Sequence, residues 1–348
     1  MGDRPSSEFA RLDDLRAGLQ GLLGCGAGSA VSIVALSPLP GGTMRHAWAV
    51  DLDVASGPLA GFHRLIYLED RRGVPLPSRL SRDAEFQVLS VMHGAGVRVP
   101  RPYWRIGMGD APDLGPGLIV QRLEGETLTR RLMQDAAFER VRPRLLEQIG
   151  EELARIHAVP TGALGCLSRP PAGPTPAESQ LAELDRALGA IGEPHPALEL
   201  GLRWLGRQTP GCEGLVAVHG DYRLGNFVVD PTHGLVAVLD WELCHLGDPG
   251  EDLGWVCMRY WRCVDRPGAR GLGPKQRLLD AYAGVSGRRL APERALYWEV
   301  FANLRWAIVT LRQAQRHLSG DERSLELASI GRHCAEVEWE LLRLLRRL

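Results

Sequence analysis

Lysine is almost missing from this sequence: of 41 basic residues only Lys275 is a lysine, and the other 40 are arginines. A genome whose codons favour arginine accounts for most of the bias, and any task usually given to lysine must pass to a guanidinium. No CxxC pair occurs among the seven cysteines (Cys25, Cys166, Cys212, Cys244, Cys257, Cys263, Cys334), which are odd in number and scattered. That disfavours a zinc knuckle or a disulfide framework, and reduced thiols in the cytoplasm are the expectation. No apolar run approaches the roughly 18 to 20 residues of a membrane span, and no charged-then-apolar leader opens the chain. Met1-Gly2 with Ser6 fits a myristoylation pattern only formally, with Asp3 and Pro5 against it. A net charge of -1 supplies no global attraction to nucleic acid. Neither a Walker A loop nor GxSxG is present. Gly24-Cys25-Gly26 has a helix before it and a strand after it, the reverse of a dinucleotide-binding turn.

What remains is an ordinary apolar content of 45% over 348 residues, enough for two packed units. Apolar residues at helical spacing predict a first helix over 8–24. Short β-rich runs at 31–39, 47–54 and 62–68 follow, parted by Gly and Pro, as in a small antiparallel sheet. A helix over 81–93 carries Glu85, and 118–123 reads as a further strand. From 145 onward the pattern is mostly helical: 145–157, 178–190, 197–207, 275–284, 293–318 and 322–347. The expected class is α+β, with an N-lobe over 1–121 and a C-lobe over 122–348.

The densest signal is Val216 to Glu242. A β run ends in His219-Gly220-Asp221, and two more, 227–230 and 235–239, are joined by a Pro-Thr-His-Gly turn. Such a hairpin would bring Asn226 and Asp240 side by side, with Asp221 on the loop before them. A carboxylate to accept a hydroxyl proton and hard oxygens to hold Mg2+ against phosphates are what phosphoryl transfer requires. Asp followed five positions later by Asn, then by a separate Asp, is also the kinase arrangement.

His219-Gly220-Asp221 through Asn226, Asp240-Trp241-Glu242, Gly247-Asp248-Pro249 and Asp252-Leu253 together resemble the phosphotransferase family of aminoglycoside phosphotransferases and choline kinases. The strings from His219 to Asn226 and from Asp240 to Pro249 are similar to the branch found as the kinase-like portion of long acyl-CoA dehydrogenases. The resemblance implies a bilobal protein-kinase-like fold using ATP or GTP with Mg2+, and a small-molecule hydroxyl acceptor. It makes Asp221 the catalytic base, Asn226 and Asp240 metal ligands, and His219 and Asp252 supports.

Gly41-Gly42-Thr43 between two strands is placed to cover nucleotide phosphates, and Gln121 and Leu123 to form the hinge that meets the base. One departure stands out. The family puts a Lys or Arg on the third strand to pair with the helix glutamate, here Glu85, and Leu68 occupies that position. Arg64, on the same strand face, is one substitute; Arg71, Arg72 and Arg79 are others. The alternative is a kinase-like binding or regulatory protein that has lost the phosphate grip.

For the acceptor, arginines between 259 and 316 outnumber nearby acids and interleave with Trp255, Trp261, Trp298 and Trp306. An acidic groove for a polycationic antibiotic is not evident, and an anionic acceptor such as a hydroxyacyl-CoA fits better. Arg223, Glu242, Arg305 and Trp306 are the substrate candidates; an antibiotic kinase is the further alternative.

Overall fold

A computed structural model describes residues 4–39, 45–70, 79–111, 113–263 and 271–346. The chain divides into two compact units, one formed by Met1–Glu124 with Ala237–Leu243, the other by Gly125–Val236 with Cys244–Leu348.

The first unit opens with α1 (Arg4–Ala27), followed by β1 (Val31–Leu39), β2 (Arg45–Val54) and β3 (Gly61–Asp70). After α2 (Arg82–Gly94) come β4 (Pro102–Ile106) and β5 (Gly117–Gln121). The five strands form an antiparallel sheet in the order β1-β2-β3-β5-β4. Leu15, Leu19 and Leu23 of α1 are fully buried against Val50, Leu52, Leu65 and Tyr67, because every second strand residue faces the same way. β4 is absent from the sequence reading, which places no element between the helix over 81–93 and the strand at 118–123. Pro102 is the first residue of an edge strand, where a missing N–H costs no ladder bond.

The second unit holds α3 (Thr129–Gln134), α4 (Arg142–Ala158), α5 (Pro176–Gly189), α6 (Pro196–Arg207), β6 (Val216–Val218), β7 (Phe227–Asp230) and β8 (Gly234–Val238), the last two residues of β8 counting with the first unit. β9 (His245–Gly247), α7 (Gly250–Cys257), α8 (Arg259–Arg262), α9 (Lys275–Ser286), α10 (Pro292–Ser319), α11 (Leu325–Gly331) and α12 (Cys334–Leu345) complete it. Thr175 and Glu178 form a reciprocal cap on α5, and left-handed Gly287 and Gly320 end α9 and α10. Trp298 of α10 is fully buried in this unit's core cluster, which also holds Trp255, Phe301, Val337 and Leu341.

Two boundaries differ from the sequence reading. The helix expected over 322–347 is two, because Arg332 and His333 donate to Ser329 and Ile330, three residues back, at 3.2 and 3.0 Å, which breaks the four-residue ladder. The first unit runs to Glu124 and takes back residues 237–243, which the sequence reading left in the C-lobe. Val238 N–H donates to the Arg98 carbonyl and Leu80 N–H to the Glu242 carbonyl, each at 2.8 Å. Main-chain bonds, invisible in composition, decide that assignment. Among the described residues no helix is long and apolar enough to cross a membrane.

Candidate active site

In the second unit, β6 pairs antiparallel with β9, Val218 opposite His245, and delivers the chain to His219. Asp252, in the first turn of α7 and fully buried, receives the next two N–H groups: His219 at 2.7 Å on Oδ2 and Gly220 at 3.0 Å on Oδ1. His157 Nε2 lies 3.2 Å from Oδ2, and its Nδ1 is 3.0 Å from the Tyr282 hydroxyl. Burial alone would raise the Asp252 pKa; the hydrogen bond from His157, the two neighbouring imidazoles and the main-chain donors hold it below the usual carboxylate range. Gly220, at φ +84°, turns the chain, and Asp221 N–H donates back to His219 Nδ1 at 3.1 Å.

This loop presents the Asp221 carboxylate, which is held from three sides. Its Oδ1 accepts from Arg223 Nε at 2.8 Å and from Trp255 Nε1 at 2.9 Å. Its Oδ2 accepts from Asn226 Nδ2 at 2.7 Å and, more weakly, from Arg223 Nε at 3.0 Å. Asn226 Nδ2 also donates to the Asp221 carbonyl at 2.9 Å, so the amide nitrogen is committed and Oδ1 is left as the acceptor end. Arg223 stacks on Trp261 at 4.6 Å from the ring centre, and Arg305 lies 5.0 Å over Trp255. Trp306 is buried and nearly perpendicular to Trp255, centroids 6.1 Å apart. Among the described arginines of the basic face read from sequence, these two stack on tryptophans, while others are committed elsewhere. Arg262 donates to the carbonyls of Cys257 and Gly273, Arg277 pairs with Glu147, and Arg316 pairs with Glu322.

Trp255 is the residue that sequence reasoning missed, having read it only as core or as general substrate surface. It lies one helical turn beyond Asp252, so both project from one side of α7. That spacing was an available signal.

In the first unit, Glu85 sits in the first turn of α2, capped by Ser81, and is 2% exposed. Arg64 does not serve it. Arg64 pairs with Glu124, and it lies four residues, about 13 Å, along the strand from Leu68. The guanidinium on Glu85 is that of Arg45, from β2: Nη1 reaches Oε1 at 3.1 Å and Nη2 reaches Oε2 at 2.9 Å, with Arg82 also on Oε2. Arg45 Nη2 further donates to Glu242 Oε2 at 2.8 Å, and Arg79 holds Glu242 Oε1 at 2.8 Å. Glu242 is therefore buried with both oxygens taken, which corrects its assignment as a substrate contact. Burial, then the charge of Asp240, push its carboxyl up to about 7 against the pull of the arginines. Asp240 has φ +64°, a left-handed conformation that a non-glycine residue keeps only when its surroundings impose it. Gln121 N–H is taken by the Arg101 carbonyl at 2.8 Å, and Leu123 is half-buried. Gly41, Gly42, Thr43, Arg71 and Arg72 lie outside the described residues.

Asn226, in the second unit, offers an amide oxygen and Asp240, in the first, a carboxylate, both of the hard-oxygen type that magnesium prefers. One unrelated group, His195, Cys334 and Glu338, has its ligand atoms within 4.8 Å of one another. There His195 Nδ1 is already paired with Glu338 at 3.0 Å.

Comparison with known proteins bears on this geometry. The model of a phosphotransferase enzyme family matches residues 70–290, more than half of the chain. Acyl-CoA dehydrogenase family member 10 of Mus musculus is 28% identical over 214 residues, covering 60% of this chain and 19% of that protein. The chain thus spans about a fifth of that relative's length. A solved structure from Ralstonia eutropha, described as an aminoglycoside phosphotransferase, superposes with a TM-score of 0.72 at 20% identity, over 95% of this chain and 98% of its own. The GDP complex of aminoglycoside 2'-phosphotransferase-IIIa does so with 0.56 at 12% identity, over 95% and 97%. Both share the kinase-like fold.

Proposed function

The chain belongs to the phosphotransferase enzyme family, and from that premise we propose that it moves the γ-phosphate of ATP or GTP to a hydroxyl group of a small anionic acceptor. The observation that carries this reading is the Asp221 carboxylate, fixed by Asn226, Arg223 and Trp255 on a loop pinned by Asp252.

Asp221 is the base. Its two oxygens already accept four contacts, so an incoming hydroxyl displaces the longer arm of the Arg223 Nε contact, at 3.0 Å on Oδ2. Trp255 and Asn226 keep the carboxylate aimed while the hydroxyl proton passes to it. The acceptor oxygen bonds to the γ-phosphorus, the bond from that phosphorus to the bridging oxygen breaks, and the nucleoside diphosphate leaves. Asn226 and Asp240 would hold the magnesium ion, which when bound supplies charge to the phosphate oxygens.

Arg223, paired with Asp221 and stacked on Trp261, and Arg305, over the Trp255 that donates to Asp221, support an acceptor bearing a carboxylate, phosphate or CoA moiety, a hydroxyacyl-CoA being the leading candidate. A cytoplasmic setting goes with nucleotide-dependent transfer. The test is thermal shift with Mg·ATP and Mg·GTP, then a phosphate-transfer screen over hydroxyacyl-CoAs, aminoglycosides, choline-like amines and sugars. Transfer to a hydroxyacyl-CoA is expected. Nucleotide binding without turnover on any acceptor would instead favour a kinase-like binding protein.

A further inference from the structure

We propose that the guanidinium of Arg45, on β2, grips the nucleotide phosphates, a task that has moved there from the neighbouring strand position now held by Leu68; this rests on the nucleotide-dependent reading above. Register makes the move possible. β2 and β3 run antiparallel with Ala47 opposite Leu68 and Arg45 opposite Asp70. Directly opposed residues share a sheet face, so Arg45 emerges on the face of Leu68, one residue pair further along, a displacement of roughly 7 Å. A long arginine stem can cover that distance.

Burial makes the pairing necessary. Glu85 is 2% exposed, and a carboxylate so placed needs a hydrogen-bonded cation. Arg45 meets it with two nearly parallel bonds, the arrangement specific to guanidinium. In a chain with one lysine, arginine is the available cation.

The donor inventory then points outward. Of the five N–H groups of Arg45, two go to Glu85 and one to Glu242. Its Nε is buried with no hydrogen-bond partner among the described residues, Asp70 Oδ1 being 3.8 Å away, and one Nη1 hydrogen remains. A buried donor left unmade costs free energy that a phosphate oxygen would recover. Arg79 and Arg82 are less suited. Arg82 is committed to Asp70 and Glu85, and Arg79 sits outside the sheet on Glu242. Among the described residues, Arg45 alone joins the α2 glutamate to Glu242, two residues after Asp240, and does so from a strand.

The experiment compares wild type, Arg45→Met and the double variant Arg45→Met/Leu68→Arg by calorimetric titration with Mg·ATP, Mg·ADP and adenosine. Arg45→Met is expected to weaken ATP and ADP by about 10 to 100-fold, the loss of one or two charge-assisted hydrogen bonds, with adenosine unchanged. The double variant is expected to recover phosphate-dependent affinity to within about threefold. Equal loss for adenosine, or an Arg45→Met protein that binds ATP like wild type, overturns the proposal. If Arg45→Met does not fold, the double variant decides alone: folded and ATP-binding supports it, folded without ATP affinity overturns it. A wild type that binds neither Mg·ATP nor Mg·GTP would bring down the functional reading itself.

Discussion

The indole N–H of Trp255 donates to Oδ1 of Asp221 at 2.9 Å across 34 residues of sequence. It ties the proposed base to α7, the helix that also carries Asp252. Trp255→Phe keeps the ring packing and deletes one hydrogen bond to a charged group, worth about 1.5–3 kcal/mol. Turnover is expected to fall by about 10 to 100-fold, with the melting temperature lowered by at most a few degrees. Unaltered kcat would show that Asp221 does not depend on this donor.

Asp221→Asn keeps the shape of the side chain and removes the proposed proton acceptor. Turnover should drop by about 10²–10⁴, the range for a positioned base, while Mg·ATP still binds. Near-normal turnover would remove Asp221 from its role.

Arg305→Glu places a negative charge over Trp255, where an anionic acceptor is proposed to lie. KM for a hydroxyacyl-CoA should rise at least about tenfold, with nucleotide affinity constant and the effect shrinking as salt is added. A KM indifferent to the charge would separate the acceptor from this guanidinium.

Asp252 gathers two main-chain N–H groups and His157 in a dry interior. Because its folded pKa is depressed, its contribution is complete above the unfolded value of about 4 and disappears as pH falls through the folded value. Asp252→Asn should destabilise by about 3–5 kcal/mol at pH 7. The gap from wild type should be flat from pH 7 to 5 and narrow only below about pH 4, as followed by urea unfolding. A gap that closes already at pH 6 would contradict the sign.

Two glycines give opposite outcomes. A Cβ on Gly254 of α7 would collide with the main-chain carbonyl of Trp298, whereas one on Gly284 of α9 meets nothing within 4 Å. Gly254→Ala should destabilise by at least about 1–3 kcal/mol, and Gly284→Ala should stabilise by about 0.5–1 kcal/mol. Thermal melts of the two variants check both signs.

Sequence by itself determined what depends on short range. Alternation marks β1, β2 and β3, helical spacing marks α4 through α6, and the five-residue step from Asp221 to Asn226 places two side chains on one loop, where they meet at 2.7 Å. Tertiary structure decided what depends on how distant segments pack. Of the two cations on Glu85, Arg82 is three residues away on the same helix, but Arg45 lies 40 residues back, on β2, and only strand register brings it there. The fate of Glu242, drawn inward by Arg45 and Arg79 instead of facing an acceptor, depends on the main-chain bonds that pull residues 237–243 into the first unit. Backbone periodicity is written in each residue's neighbours, whereas the partner of a buried charge is whichever opposite charge the finished packing leaves within reach.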